Sequence, residues 1–511
     1  MRVISKTLYI LTFSIINHFL YAQYPADHSP YQSIPVPSVP ALPGYGQSVI
    51  DNSVPDPIQI TRITEVYNYV DSNGDPQVWY PTHEYSKTQV WNADQSLYKI
   101  RSWKVYDATT YQEVQDISSQ ALYPVYWSNI NPDLLWSFRE DGTIKKHFIS
   151  TNTNQIVGVI TNPSGNAYEY VKLGPGEGNI DKNDHYVALV GKDGQDMDVI
   201  IYDLQNLRTV TIKKFPGCWQ NGGSNFPHYV DWVSVSQSGN YVVIMWDHNT
   251  TSASNPYMEN GQSHYGVEVY NTTNMQYLHR LIHYGNHGDL GYAADGDEVL
   301  VQFYGVQQNG LYMYKLNGSG STAIIQHPDF GVDGHVSCRN INRPGWAYIT
   351  HADAAQSGQM IAVKLDNSGT VEYFGHHFSS NSDYEQSPMA TVSPNGDLLC
   401  FKSDFGTAPN SNPSVAYSFF ARLAPNAVID KQTHSSVKLY PNPAQHYVQI
   451  NSSDKIQELF IYNASGQMIK KIDAFSANEI IIDTQDWTSG IYIFKLILKD
   501  RTTLKKILIN K

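Results

Sequence analysis

The sequence predicts an all-β protein, a seven-bladed β-propeller followed by a small C-terminal Ig-like β-sandwich. Three observations carry this expectation. Short apolar strands recur behind turn dipeptides with a period of about fifty residues, the length of a propeller unit. Aromatic residues make up 13% of the 511-residue chain and charged residues only 16%, a mix that suits sheets and argues against disorder. The final stretch, from residue 437, changes to six or seven short alternating strands with turns at Ser465-Gly466 and Ser489-Gly490 and a basic end. A chain of this length also calls for more than one core.

Residues 1–22 read as a secretory signal: Arg2 and Lys6 are the basic region, "LYILTFSIINHFL" the apolar one, and Leu20-Tyr21-Ala22 a small-residue cleavage site before Gln23. The apolar stretch is short for a bilayer, so no transmembrane segment is expected once it is removed. Residues 23–59 are dense in Pro and Ser without apolar period, and are expected to form a linker or a strap on the domain surface. The propeller is expected over 60–425, a linker over 426–436 and the sandwich over 437–511.

Within the propeller the strands "ADQSLYKI", "NPDLLWSF", "NDHYVALV", "SGNYVVIM", "DGDEVLVQF", "RPGWAYIT" and "NGDLLCFKS" each follow a turn signal. Each has a second apolar strand behind it: "WKVYDATT", "KKHFISTN", "VIIYDLQN", "GVEVYNTT", "LYMYKLNG", "MIAVKLDN" and "YSFFARLA". Seven such pairs predict seven four-stranded blades, each burying its faces on its neighbours. A solenoid would use shorter and more regular repeats.

In the tail, "YPNP" at Tyr440–Pro443, "IYNASGQMI", "SGIYIFKL" and the Lys-rich end together resemble the type A C-terminal sorting domain of the type IX secretion system of Bacteroidetes. The resemblance implies handling by that machinery and a secreted or outer-cell-surface location. It implies nothing about the activity of the cargo.

The net charge of −13 disfavours nucleic acid and anionic membranes as partners. Cys218, Cys338 and Cys400 are odd in number and far apart, and read as buried thiols rather than a disulfide frame or zinc site. No GxSxG elbow is present, the Asp-rich stretch at 181–198 lacks EF-hand spacing, and "GPGEG" at 174–178 precedes a strand rather than a helix, which argues against phosphate cradling.

Propeller ligands sit where the loops entering the innermost strands converge. Stepping back eight to ten positions from each turn dipeptide selects Lys87, Tyr123, Glu177, His228, His287, His335 and the pair Tyr384-Glu385 as rim residues, with Asp289, Arg339, His376 and His377 close by. Two chemistries fit. A divalent metal would take His287, His335 and His376 or His377 as imidazole ligands, completed by Glu385, Asp289 or Gln386. An eliminase acting on acidic polysaccharide would use Arg339 as carboxylate clamp, His287 or His335 as base and Tyr384 as acid. In architecture and scattered His use the domain resembles the seven-bladed propeller polysaccharide lyases, which include His-bound-metal oligogalacturonate lyases and ulvan lyases using His, Tyr and Arg. The resemblance implies an exported protein acting on polysaccharide. The alternative is a non-catalytic propeller that binds glycan or protein at the cell surface.

Overall fold

A computed structural model of the chain describes residues 31–70, 73–101, 104–220, 226–246, 252–303, 310–331, 333–351, 358–407, 415–424, 437–463, 467–498 and 502–511. The expected signal at 1–22, the linker at 426–436 and the Ser465-Gly466 turn lie outside the described residues. The chain divides into two compact units, Met1–Ala424 and Pro425–Lys511.

Every sheet in both units is antiparallel, and among the described residues no α-helix is present. In the first unit the described strands make seven sheets of three to five strands, in chain order, and two short ribbons. In sheets two to seven the strand behind each turn dipeptide is the second of its sheet and the next apolar strand the third. In the fourth sheet these are Tyr241–Met245 and Val267–Asn271, between Trp232–Val235 and Tyr277–Ile282. Their near-continuous apolar character follows from burial on both faces.

The core lies between successive sheets. Val105 of the first packs with Trp127 and Leu135 of the second; Trp136 and Phe138 with Val187 and Leu189 of the third; Val199 and Phe215 with Val233 and Val242 of the fourth. Val243 and Val269 then meet Leu300 of the fifth, and one cluster joins sheets five, six and seven through Val301, Ile349 and Phe401. Val90 and Trp91, just before the first sheet, and Tyr98 within it pack with Cys400 and Phe420 of the seventh.

The seventh sheet is assembled from both ends of the unit. Thr391–Val392, Leu399–Ser403 and Tyr417–Leu423 continue into Ile58–Arg62 and then Ser48–Asp51. The expected domain start at residue 60 therefore falls inside a strand, and part of the expected linker is sheet. Strands of four and five residues beside Pro55 and Pro57 are too short to show a period in sequence. Residues 31–36 also lie on the protein: Tyr31 is buried against Phe330 and His351, and His376 bonds the Ile34 carbonyl.

Among the described residues the second unit holds five strands where six or seven short ones were expected. Tyr447–Asn463 and Met468–Asp483 run 17 and 16 residues, because pairing resumes after irregularities between Asn451 and Ile456 rather than ending there. Val437–Tyr440 and Gly490–Leu498 pair with the two ends of the first long strand, and Val448, Ile450, Leu459, Phe494 and Ile507 form the core.

Ile60 is fully buried on the strand that joins the two ends of the first unit. Ile60→Ala is expected to lower its unfolding free energy by about 2–5 kcal/mol. Chemical denaturation checks this, and a loss below about 1 kcal/mol would mean that this strand is not part of the cooperative core.

Candidate functional site

The site begins with a buried ion pair that sets the spacing of two neighbouring strands. Asp289 lies on the first strand of the fifth sheet, Gly288–Tyr292, and Arg339 just beyond that of the sixth, Gly334–Ser337. The Asp289 carboxylate accepts from the Leu290 and Cys338 amides at 2.8 and 2.7 Å and from Arg339 Nε and Nη2 at 3.0 Å each. Arg339 Nη2 also donates to the Leu290 carbonyl at 2.9 Å. Arg339 is 5% exposed, so the expectation that it clamps a substrate carboxylate is corrected: its partner is Asp289, and Asp289 is likewise structural rather than a ligand contact.

With the strands so registered, His287 and His335 stack, ring centroids 4.6 Å apart. His287 Nδ1 donates to the Gly334 carbonyl at 2.9 Å and pairs with Asp333 Oδ1 at 3.2 Å. Tyr85 stands edge-on to His335, centroids 5.3 Å apart. Lys87, two residues on, is buried, with Nζ 2.7 Å from Glu177 Oε2 and 4.1 Å from the Trp232 ring centre. Residues from the segments that lead into the first and fifth sheets, from the first strands of the fourth and sixth, and from the turn that follows the first strand of the third thus meet in one place.

Glu177 reaches this place through the "GPGEG" stretch. Gly174 has φ +38°, and a Cβ there would lie 1.8 Å from the Val233 carbonyl oxygen; at Gly178 it would lie 2.6 Å away. Only glycine lets the bulge press on the neighbouring strand and turn Glu177 toward Lys87.

The two histidines are pushed apart electrostatically. Burial acts to lower the pKa of His287, but the hydrogen bond and charge of Asp333, helped by Glu177, outweigh it and hold it above the ordinary 6.5. The same hydrogen bond lowers Asp333. Burial, then the charge of His287, drives His335 well below 6.5, and its Nδ1 has no hydrogen-bond partner among the described residues. Burial raises Tyr85 well above 10, with Glu177 and Tyr384 adding to it.

Tyr384 and Glu385 occupy a short 3-10 turn, Tyr384–Gln386, at the edge of this cluster. Glu385 accepts from Arg101 Nη2 at 3.1 Å. Beneath them Lys402, 1% exposed, has its Nζ 5.4 Å from the Tyr384 ring centre, and burial lowers its pKa to about 8. Tyr85, Asp333, Arg101 and Lys402 were not singled out in the sequence. Lys402 was visible as the one charge in the apolar strand "LLCFKS".

Of the rim residues, Lys87, Glu177, His287 and His335 come together. His228 does not: its amide donates to the Cys218 carbonyl at 3.2 Å, its ring rests on Tyr229, and no contact among the described residues joins it to His287 or His335. Tyr123, 60% exposed, lines a separate cleft with Arg101 and Glu385.

The proposed metal set does not assemble. His376 ends the outermost strand of the sixth sheet, three strand spacings or roughly 14 Å from the strand of His335. Its Nδ1 meets Asp51 Oδ2 at 2.8 Å and its Nε2 the Ile34 carbonyl at 3.0 Å. His377 Nδ1 accepts from the Ser379 amide at 3.0 Å. His287 and His335 present stacked faces, and His287 Nδ1 is already engaged. Among the described residues no three His, Cys, Asp or Glu side chains are grouped to share an ion.

Residues 438–510 match the model of the secretion system C-terminal sorting domain. The chain thus carries the type IX sorting tail expected from its sequence, which marks it for secretion and cell-surface attachment. Among solved structures it is similar to an oligogalacturonate lyase in complex with manganese, at 11% identity and a TM-score of 0.50, over 76% of this chain and 98% of that one. A second is an oligogalacturonate lyase from Vibrio parahaemolyticus, at 10% identity and a TM-score of 0.48, over 75% and 97%. At such identity the first likeness shows fold alone, and it bears out the architectural resemblance to propeller lyases. No curated protein matches the chain.

The His287–Asp333 interaction has a defined pH window. A raised His pKa stabilises below 6.5 and loses its effect as pH rises through the folded value, while the lowered Asp pKa loses its effect below 3.8. Asp333→Asn is therefore expected to reduce the melting temperature most near about pH 5–6 and hardly at about pH 9. A thermal-melt series would refute the pairing if the deficit were independent of pH.

Proposed function

We propose that this is an exported polysaccharide-degrading propeller whose channel mouth carries out proton-transfer chemistry, in the manner of a β-eliminating lyase. In this reading the seven sheets close as seven blades over about residues 60–425, after a signal at 1–22 and a Pro-rich segment at 23–59, and before a linker at 426–436 and the sorting domain at 437–511. The shared apolar clusters between successive sheets, and between the seventh and the first, support that closure.

One observation carries the catalytic reading: two stacked imidazoles with opposed pKa shifts. Such a split assigns acid and base roles. His335, neutral and carrying a free lone pair, removes the proton on the carbon next to a uronate carboxylate. The His287 imidazolium, fixed by Asp333, stabilises the negative charge that moves onto the carboxylate oxygens. The electron pair then forms the carbon–carbon double bond as the glycosidic carbon–oxygen bond breaks. Tyr85 or Tyr384, kept protonated by a raised pKa, supplies the proton to the departing oxygen. No step uses a metal, because the four histidines do not gather.

The alternative, a propeller that binds glycan without cleaving it, draws support from His335 being only 4% exposed. Following ultraviolet absorbance of unsaturated products on pectic, alginate and ulvan-type polymers separates the two. The wild-type chain is expected to release product from at least one polymer, and His335→Ala or His287→Ala to slow it by about 10²–10⁴-fold. The acid limb of the pH profile should fall below 6.5, where His335 titrates, and the alkaline limb above it, where His287 does. Absence of product from all three classes would leave binding as the function.

A further inference from the structure

Beside the cluster, on the far side of the Tyr384–Gln386 turn, lies a cleft of about 1040 Å³. That is the upper end of the size of ligand pockets. One wall is the ribbon Tyr67–Val70 and Pro76–Trp79, which stands outside the seven sheets; the others come from Arg101, Tyr123, Arg139 and Glu385.

Two features define what the cleft suits. It is faced with aromatic rings: Tyr67 is 43% and Tyr123 60% exposed, and Tyr67 stands edge-on to Trp79 with centroids 6.2 Å apart. Its charged groups are each matched by an opposite charge. Arg101 Nη2 pairs with Glu385 at 3.1 Å, Lys99 with Glu84 at 2.5 Å, and Arg139 Nε with Asp141 at 3.1 Å. The wall therefore offers strong donors and acceptors side by side without a net charge to attract an ion. Arg101 holds φ +51°, a left-handed backbone that a non-glycine residue adopts at a cost, and this turns its guanidinium toward Glu385.

We propose that this cleft is a glycan subsite that takes uncharged, hydroxyl-rich sugars, stacking their apolar faces on Tyr67, Trp79 and Tyr123 and bonding their hydroxyls through the Arg101–Glu385 and Arg139–Asp141 pairs. The proposal rests on the polysaccharide reading above and sharpens it. Glu385 faces the cleft while its neighbour Tyr384 feels the charge of Glu177 in the cluster, so one short turn separates the two places. A polymer spanning both presents neutral sugars next to the residue that is cut. The preferred substrate is thus a mixed glycan rather than a homopolymer of uronate.

Calorimetric titration of the full exported chain with galactomannan, arabinoxylan and polygalacturonate tests this. Binding of at least one of the two neutral polymers is expected, with affinity held within about twofold between 0.1 and 1 M salt, where the screening length shrinks from about 10 to about 3 Å. Trp79→Ala and Tyr123→Ala are each expected to weaken it by about tenfold or more, while Leu278→Ala, at an exposed position on the outer strand of the fourth sheet, binds like the wild type. Absence of heat with both neutral polymers, affinity unchanged in both aromatic variants, or affinity lost at 1 M salt would overturn the proposal. The binding signal does not depend on turnover, so a failed ultraviolet assay alongside a retained isotherm removes the eliminase and leaves the subsite.

Discussion

The arrangement of the cluster depends on the buried pair of Asp289 and Arg339. Two charges taken out of water cost several kcal/mol each, and the cost is offset only where geometry is good and the remaining donors and acceptors are satisfied. Here the carboxylate accepts four hydrogen bonds, two of them from backbone amides of the strands it joins. That satisfaction admits one register between the fifth and sixth sheets. His287 sits two residues before Asp289 and His335 four before Arg339, so the same register that closes the ion pair stacks the imidazoles. Side-chain amides extend the tie: Gln237 donates to the Leu290 and Cys338 carbonyls, and Gln89 to those of Arg339 and Val392. A residue that looked catalytic from its type thus acts at one remove, by fixing where the titrating groups stand.

The sheets were legible in the sequence because their second and third strands are buried on both faces, and buried strands are written as apolar runs behind glycine turns. The first strands are shorter and more polar, and counting back to them worked only where their distance from the following turn matched the count. It found Lys87, Glu177, His287 and His335. It misplaced His228, because the first strand of the fourth sheet starts at Trp232, too close to the Ser238-Gly239 turn for a count of eight to ten, and that sheet's contribution to the cluster is Trp232 itself. Arg339 and Asp289 could not be told from ligand contacts, since each is explained only by the other, fifty positions away. The adjacent His376 and His377 failed for a different reason: His376 ends an outer strand and meets Asp51 and Ile34 from near the start of the first unit, while His377, just beyond that strand, accepts from the Ser379 amide.

The glycine stretch at 174–178 shows how a motif can be read correctly in the negative and still matter. It precedes no helix and so cradles no phosphate. Its glycines instead permit a backbone approach to Val233 that no Cβ would survive, and the one side chain lifted by that bulge is Glu177. Glu177 in turn neutralises Lys87 and raises the pKa values of His287, Tyr85 and Tyr384. A local steric device in one sheet therefore biases the protonation of groups carried by three others.

This linkage also explains why the two histidines can differ so much while touching. In a shared, partly dry site, a proton on one imidazole disfavours a proton on the other, so any group that fixes the first charge determines the second state as well. Asp333 fixes it on His287. His335, deeper and facing that charge, is left neutral at the pH where His287 is most readily protonated. The asymmetry needs no difference in residue type, only a carboxylate beside one ring and burial around the other. That is why three equivalent-looking histidines in the repeat resolve into one ring whose protonation is favoured, one whose protonation is disfavoured, and one residue, His228, with no part in the pair.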